Sequence, residues 1–537
     1  MEYYNLLLKK IEQIEKPEKY GPVLGAIAAT GLAAYVVKRV LSKSKDDKFA
    51  KGLEAIPTPR GAIPYLGHIP YMGEMPAHKI TKWHQELGPI IRVKMGVQDW
   101  IFVSEPQVAH ELFATQGAVT SGRPYITFGN GISGEGDRGI VFTDYGKKWK
   151  NARTAILNIL SPKSVAGFDT VLQREADNCI HHLLEQTDLH GSVNPLMFMR
   201  CSSINVILAA GYGLKGVSSP EDPRFKEIIE VVELGLHYTS VVGDFSSYFP
   251  ILSFLDVIFK KEQKMRDFLR DLSNPLFNKL LKQARESEQD SLVKKLDLIK
   301  DEYEIDERNL RVIMSEVLIA GGDTVSITTS WTFAILVHHP DVQKKLADEV
   351  DAFITKHQRT PNFEDRAEFP YYNAVQKEAM RYRPPVYFGV PRKSNSDVVY
   401  KNYIIPEGAT MVTNIHTLHN DPNTFPEPDK FMPERFMNDT RSMYTSGNGN
   451  VNDRDHFVFG WGRRICPGIY LAENELFNSI TRVMAQTRIE PLIGPKGEKI
   501  YPDLNDFKDG GSVLLPAPFK IRFVRREDRV VIGSSQT

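Results

Sequence analysis

The chain has 537 residues, 42% of them hydrophobic and 25% charged, the composition of an ordinary globular protein with room for one large domain or two to three average ones. Its 67 Lys+Arg are balanced by 67 Asp+Glu, which excludes a polyanion-binding protein as a whole and leaves no nucleic-acid partner to expect. The three cysteines, Cys179, Cys201 and Cys466, form an odd set without framework spacing, which argues against structural disulfides.

Residues 1–20 form a charged N-terminal segment that mixes four Lys and four Glu with apolar residues. The run GPVLGAIAATGLAAYVV (21–37) then carries no charge before Lys38 and Arg39. It is at the short end for a membrane span, and the charged stretch ahead of it is longer than a secretory n-region. An uncleaved, single-pass anchor helix over 21–41 is therefore expected. Lys38, Arg39, Lys43, Lys45, Lys48 and Lys51 follow the run, and this positive-inside bias places the rest of the chain in the cytosol. A basic linker and proline-rich hinge occupy 42–64, where the prolines of IPTPRGAIPYLGH (56–68) stiffen the backbone.

Strand patterns occur at 89–104 and again at 397–414. Between them, GNGISG (129–134) satisfies GxGxxG, but two more glycines and no helical run follow it, so phosphates would meet no helix N-terminus. YGKKWKNAR (145–153) puts Trp149 and Arg153 four apart on one helix face, where a donor and a cation could meet one carboxylate. The histidine pairs at 181–182 and 338–339 point to different helix faces without matching metal-ligand spacing and read as structural.

LRVIMSEVLIAGGDTVSITTSWTFAILVHHP (310–340) is apolar at helical spacing, which predicts a long helix buried on most sides. Gly321 and Gly322 in its middle each cost about 1 kcal/mol relative to alanine, so something needs the gap. Helical spacing puts Ala320, Gly321 and Thr324 on one face, with a hydroxyl beside a groove opened by the missing side chains. A helix-packing notch with a back-bonded threonine is the plainer alternative. FPYYNAVQKEAMRYRPPV (369–386) is a helix stopped by two prolines, with Glu378 and Arg381 three apart, and FMPERF (431–436) supplies Arg435.

HFVFGWGRRICPGIYLAENELF (456–477) ends this series. From Ile469 apolar residues recur at helical spacing, so Cys466 lies just before a helix N-terminus, where amide dipoles favour an anion and a thiol should be acidic. Gly460 and Gly462 allow a tight loop to approach a flat ligand, and Gly468 keeps the backbone beside the sulfur uncluttered.

The spacing of Phe459, Gly462, Arg464, Cys466 and Gly468 matches FxxGxRxCxG, and through it the chain resembles the cytochrome P-450 family of haem-thiolate monooxygenases. The resemblance covers about residues 56–525. It implies a mainly α fold with a small β-rich lobe, as one catalytic domain over 65–525 followed by a C-terminal tail, 526–537. It also implies a haem (heme b) cofactor whose iron, the only metal, is held by the Cys466 thiolate, with Phe459 and Gly468 in the same loop. Arg464, Trp149 and Arg153 (WxxxR), Arg123 (TSGRP) and Arg392 (VPRKS) would contact the haem propionates. Asp323 and Thr324 would form the catalytic proton relay of the [AG]Gx[DE]T motif, and Glu378, Arg381 and Arg435 a structural charge network behind the haem loop.

The activity so implied is insertion of one atom of O2 into a C–H bond, with electrons from NADPH-cytochrome P-450 reductase, cytochrome b5 being a second candidate donor, and the endoplasmic reticulum membrane as location. Lys147, Lys148 and Lys150 are expected near the docking face of the reductase. By family position the pocket draws on 124–134, 243–256, the long helix, 386–390 and 511–515, aromatic and aliphatic segments with few charges. They fit a lipophilic substrate of sterol, steroid or terpenoid size, reached from membrane lipid, and the overall style resembles fungal microsomal members, steroid hydroxylases among them. The alternatives are a fatty-acid hydroxylase, an electron-independent isomerase or dehydratase of the same family, and, outside enzymes, a haem carrier or electron-transfer protein.

Overall fold

The computed structural model describes residues 53–240, 244–250, 253–510 and 512–532. The charged segment 1–20, the anchor 21–41 and part of the linker 42–64 lie outside the described residues. Among those described, no helix is long and apolar enough to cross a membrane.

One helix, Glu307–His338, organises the fold. It begins on Asp306, whose side chain accepts the Asn309 N–H as an N-cap, and gives way to a second helix, Pro340–His357, where Pro340 restricts the residue before it. Between Gly322 and Val337 every residue except Thr324 is buried. Burial of so many hydroxyls is tolerated because Thr328, Thr329 and Thr332 each donate to the carbonyl four residues back, at 2.8–2.9 Å.

The glycines have a packing role. Helix Pro195–Val206 and the wide turn Ile207–Gly211 lie against the central helix. A Cβ on Gly321 would come within 2.7 Å of Ile207 Cδ1, and one on Gly322 within 3.1 Å of Ile204 Cγ1. This corrects the expectation that the missing side chains open a groove beside Thr324, because isoleucines from the neighbouring helix take up that space. The side bearing Ala320, which is exposed, and Thr324, which is partly so, stays open instead.

Helices Pro370–Tyr382 and Ile469–Gln486 pack on the other side of the central helix, around Phe353, Phe369, Tyr372 and Phe477. The Tyr372 and Phe369 rings meet Phe477 edge-on at centroid distances of 4.9 and 5.3 Å. The β lobe follows the two strand patterns read from the sequence. A four-stranded sheet runs in the order Ile90–Met95, Gln98–Val103, Thr410–Thr413, Arg392–Lys393, with Gln98–Val103 and Thr410–Thr413 parallel. Arg392 thus sits on an edge strand, and the whole is mainly α with a small β-rich lobe.

Candidate active site

The loop before Ile469–Gln486 presents Cys466. The Cys466 N–H donates to Phe459 O at 2.9 Å, closing a tight turn whose Gly460 and Gly462 have φ of +77° and +51°. No side chain fits at Gly462, whose Cβ would fall on the backbone of Phe113 and Ala114. Cys466 and Phe459 pack beside Val325 of the central helix, Ile465 and Ile469, so the thiol has apolar surroundings. The expected acidity of the thiol is corrected here. Burial pushes the Cys466 thiol up, opposed by the Gly468 N–H and the Arg153 charge. A side chain at Gly468 would begin 3.8 Å from the sulfur.

Four arginines converge beside this loop. Arg123 donates to Val141 O (2.7 Å), Val390 O (2.9 Å) and Pro391 O (2.7 Å). Arg392 donates to Phe113 O (3.2 Å) and Trp461 O (2.5 Å). Arg464 donates to Ser121 O (3.0 Å), Ile140 O (3.1 Å) and Thr143 O (2.7 Å), and Arg153 to Ile465 O. Trp149 Nε1 donates to Ile140 O at 3.1 Å, so Trp149 and Arg153 each hold a backbone carbonyl beside the loop.

Arg123, Arg153 and Arg392 are buried and Arg464 is half-buried, yet among the described residues none of the four forms a salt bridge. Burial together with the neighbouring guanidinium groups pushes Arg123 and Arg392 down to about 9 and Arg464 to about 8. Buried charges are ordinarily paired, so this cluster fits an anionic group with two carboxylates. Exposed Ala320 in the middle of an otherwise buried helix, on the same stripe as Thr324, fits a flat group lying between that helix and Cys466. The donor set therefore suits a haem: one thiol for iron and a cationic platform for propionates.

Asp323 and Thr324 face different ways. Thr324 Oγ1 donates back to Ala320 O at 2.9 Å on the open side. Asp323 is buried and accepts from Arg200 Nε at 2.6 Å, and Arg200 Nη1 in turn reaches Glu233 at 3.0 Å, whose side chain is 60% exposed. Burial raises the Asp323 carboxyl, opposed chiefly by Arg200, and its second oxygen has no hydrogen-bond partner among the described residues. The sequence reading missed Arg200 and Glu233, which carry no local motif, and it missed Glu316, a partly buried carboxyl of the central helix that accepts the N–H groups of Ile140 and Val141.

Behind the loop, Glu378 and Arg381 form a bidentate pair at 2.7 and 2.8 Å, and Arg435 Nε reaches Glu378 at 3.1 Å. Arg381 also donates to His419 O, Pro428 O and Lys430 O, tying the chain segments that precede the loop.

Residues 57–523 match the family model described as Cytochrome P450. The chain is similar to Cytochrome P450 monooxygenase 58 of Postia placenta, 28% identical over 511 residues with 92% of each chain covered. It is similar also to Cytochrome P450 monooxygenase yanC of Aspergillus niger, 25% identical over 523 residues with 94% of each covered. Among solved structures, a zebra fish cytochrome P450 with progesterone superposes with a TM-score of 0.70 at 24% identity, covering 84% of this chain and 99% of that one.

Proposed function

The chain belongs to the cytochrome P450 family, oxidoreductases that use haem with a cysteine thiolate on iron, and on that premise we propose that this monooxygenase hydroxylates a lipophilic, largely uncharged molecule of sterol or terpenoid size. When bound, the haem supplies the activation of O2, and the protein's share is to hold it, shape the pocket and deliver protons. Cys466 is the thiolate ligand, with Phe459 and Gly468 shaping the loop around it. Arg123, Trp149, Arg153, Arg392 and Arg464 hold the propionates. The observation that carries this is the meeting of four arginines with no counter-ion beside the only cysteine presented by a tight glycine loop.

Protons follow Glu233, Arg200 and Asp323 inward from the surface, and Thr324 offers the hydroxyl on the open face. The segments expected at the pocket are apolar where they are described. Val513, Leu515, Val386 and Leu236 pack with Ile327, Trp331 and Ala334 of the central helix, while the rings of Phe128, Tyr238 and Phe268 meet at tilted angles with centroids 5.3–5.8 Å apart. Such a lining gains about 25 cal/mol per Å² of apolar ligand surface it buries, and an unpaired carboxylate would carry a heavy desolvation cost there. Access from lipid is supported by Val257, Ile258 and Phe259, exposed at 79%, 61% and 45% and followed by Lys260 and Lys261. Together with the anchor read from the sequence at 21–41, they support the reading of an enzyme of the endoplasmic reticulum membrane with its catalytic domain in the cytosol, drawing electrons from an NADPH-dependent reductase.

Purified full-length chain loaded with haem provides the test. Neutral steroids or terpenoids should shift the spin state at micromolar levels, and hydroxylated product should require NADPH, reductase and O2. Binding of anionic fatty acids alone would overturn the substrate reading, and product without electrons would make the enzyme an isomerase. In Cys466→Ser the red-shifted band of the carbon-monoxide adduct should vanish, and its persistence would refute the ligand assignment.

A further inference from the structure

Between Arg311 and Asp323 the central helix carries one charged side chain, Glu316. It lies four and eight residues before Ala320 and Thr324, which puts it on the same open stripe, level with the arginine platform. Its carboxylate accepts the Ile140 N–H at 2.6 Å and the Val141 N–H at 3.2 Å. One residue earlier, the Gly139 N–H donates to Asn309 Oδ1 at 2.9 Å, two helical turns back along the same helix. Three successive backbone N–H groups are thus strapped to one face of the central helix. Gly139 is required for the approach: its φ is +87°, and a Cβ there would stand 2.6 Å from Glu316 Oε1.

The carbonyls of the same segment point the other way and hold the platform. Ile140 O receives Trp149 and Arg464, Val141 O receives Arg123, and Thr143 O receives Arg464. The contacts at Ile140 and Val141 thus run through residues whose N–H groups Glu316 holds, and the Thr143 contact follows two residues on. The charges acting on Glu316 are the Arg123 and Arg464 guanidinium groups, and Asp144 acts on the same two arginines.

We propose that Glu316 is a positioning residue for the haem: through the 139–143 segment it sets Arg123, Trp149 and Arg464 against the propionates, and its charge faces that platform from the central helix. This rests on the haem reading above. Two consequences distinguish it from a purely structural clasp. Loss of the carboxylate should release haem faster, and it should change the electrostatic field at the haem. Burial holds the Glu316 carboxyl up at about 7, so it passes from charged to neutral as pH falls through neutrality. A negative charge near the haem favours the oxidised state, so the reduction potential should rise as pH falls from 8 to 6.

The test uses the haem-loaded full chain and the variants Glu316→Gln and Glu316→Leu. Transfer of haem to apomyoglobin should be faster in Glu316→Leu by roughly tenfold, since two buried N–H groups lose their acceptor. Glu316→Gln, which keeps one acceptor oxygen, should show a smaller increase. It should also show a higher reduction potential at pH 8 with a flattened slope between pH 6 and 8. Glu316→Gln carries the test if the leucine variant fails to fold. Wild-type haem-transfer rates and a wild-type potential profile in Glu316→Gln would overturn the proposal while leaving the haem assignment intact. A wild-type chain that held no haem would overturn the parent reading and this one together.

Discussion

Two groups of buried arginines flank the Cys466 loop, and they are built on opposite principles. Behind it, Arg381 and Arg435 share the carboxylate of Glu378, which also accepts the Met432 N–H, so each guanidinium has an anionic partner within the protein. In front of it, Arg123, Arg153, Arg392 and Arg464 have backbone carbonyls and each other, and among the described residues no carboxylate pairs with them. A buried cation with its own counter-ion is scaffold, because folding alone satisfies it. A buried cation held only by carbonyls is unfinished, and the missing charge must come with a ligand. The difference separates two sets of arginines that look alike in burial.

The comparison predicts opposite consequences for folding. Glu378→Ala leaves Arg381 and Arg435 buried beside no anion, and the haem-free protein should lose about 3–5 kcal/mol in denaturant unfolding. Arg392→Met removes one of four like charges, so the haem-free protein should change by under about 1 kcal/mol, the relieved repulsion offsetting two lost hydrogen bonds. Haem loss should instead accelerate by roughly tenfold to a hundredfold, the worth of one charge-assisted hydrogen bond to a carboxylate. If Arg392→Met destabilised the haem-free protein as much as Glu378→Ala does, the distinction between scaffold and ligand site would collapse.

Arg200 is an intermediate case, with one buried partner, Asp323, and one exposed partner, Glu233. Thr324, next in the chain, bonds only to its own helix. Thr324→Ala should therefore leave stability within about 0.5 kcal/mol and still bind haem and substrate, while more NADPH is consumed per product and hydrogen peroxide accumulates. Unchanged coupling would assign Thr324 to packing. Asp323→Asn should slow turnover more, and it should destabilise the fold as well, because it strips Arg200 of its buried partner.

The parts legible in the sequence are those whose information is local. Phe459 to Gly468 is one loop, Glu378 and Arg381 share one helix face, and the strands at 89–104 and 397–414 alternate clearly enough to be placed. Arg200, Glu233 and Glu316 were not legible, because their partners lie 33 or more residues away, and an isolated Glu in an apolar helix has no spacing that marks it. The two glycines were misassigned for a related reason. A missing side chain announces that something comes close, but only the neighbouring helix, with Ile204 and Ile207, shows what does. The thiol was misjudged because helix-end position is visible in sequence and desolvation is not.

The smallest effect is expected where cations are exposed. Lys147 pairs with Glu304 at 2.5 Å with side chains 73% and 57% exposed, Lys148 pairs with Asp137, and Lys150 lies 5.0 Å over the Tyr145 ring. Such pairs are worth about 0–1 kcal/mol, so these lysines belong neither with the self-sufficient arginines nor with the platform. Their charge remains available to an acidic partner approaching the Cys466 side, since a single exposed contact is readily exchanged. Charge reversal at Lys147 and Lys148 together should shift unfolding by under about 1 kcal/mol and leave haem binding unchanged. Reduction by an acidic reductase should slow at low salt, and the variant should lose much of the salt dependence, because attraction between exposed charges is screened over about 8 Å at physiological ionic strength. Unaltered reduction kinetics would move the docking surface elsewhere, and a marked loss of stability would mean that the exposed pairs resemble the Glu378 network more closely than their exposure implies.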